Sequence, residues 1–203
     1  MFRTISITGF IIVFSGVILH CLVTRFAGPL TPSKSIRRKG LLRLIDVLTL
    51  PAYVAALICC DTLIITGFVP ALFFEKPISG YWLMVHVSVG GVFSACLAFL
   101  VLTRAHRNRF KAADCPKLQN ILNQENEFQR TNSAYFILAK KICFWLIALL
   151  ALPVLMSIVL SMFPIFGTDM QHLLMQLHRY SALALALTAV IHTYLIMTIK
   201  MKN

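Results

Sequence analysis

Apolar residues gather in five long runs separated by polar stretches. The runs cover about residues 5–23, 47–69, 81–103, 142–163 and 173–199. Each is close to or longer than the roughly 20 residues an α-helix needs to cross a bilayer. Inside lipid a span must satisfy its own backbone hydrogen bonds, so each run predicts a helix. Pro70 closes the second run and Pro164 the fourth. The pattern predicts an all-α integral membrane protein, a bundle of five transmembrane helices forming one unit over residues 1–203. No stretch is suited to a separate soluble domain. The first run follows a single early basic residue, Arg3, and ends in His-Cys-Leu with no small-x-small cleavage pattern, so it is read as a retained helix.

The connections alternate. Those at about 71–80 and 165–171 are short, while those at 24–42 and 104–141 are long and basic. Residues 120–130, inside the second long connection, hold a weak surface-helix pattern. Sixteen of the nineteen Lys and Arg residues lie in the long connections, their flanks and the tail; only Arg3, Lys76 and Arg179 fall elsewhere. By the positive-inside rule the N-terminus faces outward and the C-terminus the cytoplasm. The net charge of +12 is thereby accounted for as a topology signal, and nucleic acid is excluded as a partner. The six cysteines form no Cys-x-x-Cys pair, which argues against an iron–sulfur cluster, a c-type haem and a disulfide framework.

Ionisable residues within spans point to function, and neutral imidazole is a common haem ligand. His178 and His192 on the fifth run are 14 residues apart. That is within ~40° of four full turns, so both rings share one face, about 21 Å apart along the axis. Such a helix suits two haems stacked at two depths. With the derived topology, His86 lies near the outer start of the third span and matches His178. His20 lies near the cytoplasmic end of the first span and matches His192. The expected iron ligands are thus His86 with His178 (outer) and His20 with His192 (inner). Zinc needs three or four ligands close together, and these pairs are too far apart. His172 points away from His178 toward the interface, and His106 sits in a basic loop. Gly90, Ala182 and Arg179 are candidate haem-pocket residues; ordinary helix packing for the first two and a snorkelling role for Arg179 are the alternatives. Asp61, midway along the second span, is either a hydrogen-bonded structural group or part of a proton path.

The stretch from His178-Arg-Tyr-Ser to His192-Thr-Tyr-Leu resembles the last helix of the cytochrome b subunit of respiratory formate dehydrogenase, a family with two haem-ligating histidines at this spacing. Lys141-Ile-Cys-Phe-Trp145, His86-Val-Ser-Val-Gly90 and Thr66-Gly67 resemble further pieces of that family, over about residues 44–203. The resemblance implies a di-haem four-helix bundle, here preceded by an extra helix at about 5–23. It implies two b-type haems, a quinone (menaquinone or ubiquinone), iron–sulfur and catalytic subunits on the outer, periplasmic face, and residence in a bacterial cytoplasmic membrane. Two departures stand out. Tyr53-Val54 occupies the place of the family's His-Trp ligand, and His20 is expected to replace it. The family's Asn and Gln ahead of its third helix are absent from Phe136–Lys141, which leaves Asn132, Lys140 and Lys141 as candidates near a quinone. The function expected is electron transfer between an outer-face partner and the quinone pool. Flow from quinol to an external reductase fits equally, and a haem-free anchor or assembly protein is the rival from another class.

Overall fold

The fold is that of a computed structural model, which describes residues 1–25, 41–74, 77–110, 125–163 and 166–201. Five helices account for nearly all of it: α1 (Phe2–Arg25), α2 (Leu41–Val69), α3 (Gly80–Arg104), α4 (Glu125–Ser161) and α5 (Thr168–Met201). No strand occurs among the described residues. All five helices are long and apolar enough to cross a membrane, with spans of Phe2–Leu22, Val47–Phe74, Gly80–Arg104, Tyr135–Ser161 and Thr168–Thr198. The protein is an all-α membrane bundle.

The helices outrun the apolar runs. α4 starts at Glu125, so the pattern over residues 125–130 opens α4 instead of forming a separate surface helix; residues 120–124 lie outside the described segments, as do most of the basic connections. No Gly or Pro interrupts residues 125–152, and a helix continues until something stops it. α2 ends at Val69, and Pro70 begins a π-helical turn, Pro70–Phe74, that carries the span onward. A residue without an N–H weakens the ordinary ladder there, and a wider turn absorbs the defect. Pro51 and Pro153 sit inside α2 and α4. At the head of α3, Gly80 takes φ +58, a left-handed conformation that disfavours any other residue.

The helices pack as two hairpins, α2 against α3 and α4 against α5, which approach each other closely at few points. α1 runs parallel to α5. Phe2 meets Tyr180 edge-on at 5.5 Å, Gly9 backs onto Leu187, and His20 reaches Tyr194. At the end where the two short connections lie, Phe68 of α2, Leu183 and Ala186 of α5 are buried together, with Phe2 and Phe10 against them. At the opposite, long-loop end, polar side chains fasten the helices. Arg104 donates to Thr49 at 2.7 Å, Lys141 to the Arg109 carbonyl at 3.1 Å, and Trp145 to the Asn108 carbonyl at 3.0 Å.

Phe68 ties α1 to the bundle, with Phe10 edge-on at 5.4 Å and Phe2 at 6.1 Å. Phe68→Ala is expected to lower the melting temperature of the detergent-solubilised protein by roughly 5 °C, the loss expected for about 2 kcal/mol of packing. An unchanged melting curve would show that α1 is held by other contacts.

Candidate functional site

The gap between the two hairpins is where histidines from different helices come together. His86 on α3 and His178 on α5 lie near enough for their charges to interact. Each is half-buried, and each is held from behind by a neighbouring helix.

His86 rests on the Thr66–Gly67 step of α2. Its Nδ1 lies 2.8 Å from the Thr66 hydroxyl. That hydroxyl already donates its one proton to the Thr62 carbonyl, at 2.7 Å. It can therefore only accept from the ring, so Nδ1 of His86 carries hydrogen. Gly67 leaves room for the imidazole: a Cβ there would stand 3.1 Å from Cε1 of His86. His178 is held by α4 in the same way. Its Nδ1 lies 3.1 Å from the Val154 carbonyl and 3.4 Å from the Ser157 hydroxyl. A carbonyl accepts only, so this Nδ1 also carries hydrogen. Val154 follows Pro153, whose missing N–H leaves the Leu149 carbonyl one turn earlier without its helical donor.

Among the described residues every hydrogen bond of the two rings runs through Nδ1. In a neutral imidazole the other nitrogen, Nε2, then holds the lone pair. A metal-ligating histidine commonly has this arrangement, with one nitrogen fixed by a protein acceptor and the other left as the ligand. Two such rings facing one another from separate hairpins can hold a single metal of a planar cofactor from both sides. Among the described residues no cluster of three or more His, Cys, Asp or Glu is suited to a metal ion, so a zinc-type site has no ligand set.

The inner candidates are arranged differently. His20 stands at the depth of α5 expected for it, but its Nδ1 bonds the Tyr194 hydroxyl and its ring lies 5.4 Å from that of Phe136. His192, two residues before Tyr194, lies against the backbone of Lys140 of α4, and its buried Nδ1 meets no hydrogen-bond geometry among the described residues. Positions two apart on a helix differ by about 200°, so His192 and Tyr194 point to opposite sides of α5. The structure brings His20 to Tyr194 and does not bring it to His192. Tyr53, at the place where the resemblance has a ligand, lies with its hydroxyl buried beside Thr193.

The remaining candidates have simple neighbours. Gly90 packs on Leu63 of α2 at 3.9 Å, which is ordinary helix contact. Ala182 is half-buried on α5. Arg179 places its guanidinium over the Phe2 ring at 6.0 Å, a cation–π contact that secures the start of α1. Lys141 is buried and engaged with Arg109, and Lys140 lies beside His192. Asn132 falls on α4, but its side chain is outside the described residues. His172 and His106 are exposed. Sequence reading named Thr66-Gly67 without giving the pair its role as a seat for His86, and missed the Val154 carbonyl and Ser157 that hold His178. A threonine before a glycine inside a span was a visible signal; a backbone carbonyl gives none.

Nitrogen NMR of histidine-labelled protein should find both His86 and His178 protonated at Nδ1. Thr66→Val should release that preference at His86 and leave His178 unchanged. A ring at residue 86 that keeps its state without the hydroxyl would show that Thr66 does not set it.

No protein-family model matches the chain, and no curated protein matches it either, so the meaning of the His86–His178 pair rests on its own geometry.

Proposed function

We propose that this chain is a membrane cytochrome b-type subunit in which His86 and His178 hold the iron of a b-type haem through their Nε2 atoms. The observation that carries the reading is a pair of neighbouring imidazoles, each fixed by an acceptor at Nδ1. Histidines kept within lipid only for packing would be expected to pair both nitrogens, because an unsatisfied polar atom there is costly.

A haem bound between the rings supplies reversible one-electron transfer. The chain's own residues orient it and shield it. Thr66 and the Val154 carbonyl keep each Nδ1–H in place, which leaves Nε2 of each ring as the nitrogen that would bind iron. Gly67 lets the His86 ring seat close to α2.

The wider role follows the resemblance. Electrons pass between an iron–sulfur partner on the outer face and the quinone pool, in either direction. A second haem on His192 and His20 would require His20 to leave Tyr194 and turn about α5. Lys140, beside His192, is the candidate best placed to meet a quinone there.

The purified protein is expected to give a reduced-minus-oxidised b-type spectrum that is lost in both His86→Ala and His178→Ala. The haem assay should give one haem per chain and be unaffected by His20→Ala. Two haems per chain, one of them lost with His20→Ala, would restore the inner pair. A colourless protein would leave the haem-free anchor as the reading.

A further inference from the structure

α2 turns one face away from the rest of the bundle. Its exposed positions include Val47, Leu50, Val54, Ile58, Asp61 and Ile65. Their spacing of three and four residues defines one side of a helix. Five of the six are apolar, as a lipid-facing stripe requires. The sixth is an acid, and it lies midway along the Val47–Phe74 span.

The neighbours of Asp61 do not neutralise it. Cys60 is turned inward and buried, and Thr62 gives its hydroxyl proton to the Ile58 carbonyl. Among the described residues no hydrogen bond or ion pair reaches the Asp61 carboxyl from another side chain. A carboxyl at the bilayer centre is costly, and such groups pair with a partner.

Among the described residues no cation is placed against Asp61: Arg3, Arg104, Lys140 and Lys141 sit toward the ends of their spans, and Arg179, farther inside α5, is committed to the Phe2 ring at the start of α1. A second copy would not help. Both copies insert in the same direction, so a two-fold axis along the membrane normal sets equal depths face to face and opposes Asp61 with Asp61. Charge complementarity selects a different polypeptide.

We propose that the α2 stripe centred on Asp61 docks a transmembrane helix of another polypeptide, one that carries a basic or amide side chain at mid-bilayer. That side chain donates to the Asp61 carboxylate, and the flanking Val54, Ile58 and Ile65 pack against its apolar neighbours. The contact does not depend on whether the bundle holds haem.

The test is site-specific photocrosslinking in native membranes. A benzophenone amino acid replaces Ile58 or Ile65 on the stripe, or Leu149 on the exposed side of α4 as a control. Positions 58 and 65 should capture the same polypeptide, through an apolar segment holding Lys, Arg, Asn or Gln within it. Position 149 should capture lipid. Asp61→Leu should cut the protein crosslink about tenfold or more, and Asp61→Glu should retain it. Because leucine suits a lipid-facing position, the Asp61→Leu chain should keep its membrane level and melting temperature, which separates lost docking from misfolding. Capture of lipid alone at 58 and 65, capture of a second copy, a captured segment lacking any such donor, or a crosslink indifferent to Asp61→Leu would each overturn the proposal.

Discussion

The constraint beneath this structure is that a polar group surrounded by lipid must find its partner within the protein. Hydroxyls along the spans obey it locally. Thr62, Thr66, Ser94, Thr103, Ser181, Thr188 and Thr198 each donate to the carbonyl four residues earlier on their own helix. A hydroxyl whose proton is committed in this way becomes an acceptor and nothing else. At Thr66 that commitment reaches across to α3 and decides which nitrogen of His86 carries hydrogen. The chemistry available at the pair thus begins with a backbone carbonyl at Thr62.

The same constraint explains the shape of the site. The hairpins α2/α3 and α4/α5 are each closely packed, while contact between them is sparse. Histidines on the two hairpins are each held by the other helix of their own hairpin, His86 by α2 and His178 by α4. α1 stands outside this arrangement, fastened to α5 and Phe68 by aromatic contacts. It contributes His20 to the edge of the bundle, where Tyr194 receives it.

Much of this was legible beforehand in particular residues. The depth match between His86 and His178 followed from counting residues along two spans. The depth of His20 followed too, since α1 runs beside α5 with Phe2 at Tyr180 and Gly9 at Leu187. The side of α5 that His20 would meet did not follow. Nothing in the α1 sequence states where on the bundle's perimeter that helix docks, and the answer came from the fit of Phe2, Phe10 and Gly9 against α5 and Phe68. Lys141 and Trp145 likewise read as members of a family pattern, yet each donates to a carbonyl of the segment after α3.

Taken alone, the sequence determined the spans and the depth of each histidine, because hydrophobic length and helical rise are properties of a single segment. The tertiary structure alone decided which neighbour each ring meets and which nitrogen it engages. Azimuth and hydrogen-bond partner depend on neighbouring helices, whose placement is a property of the packed bundle.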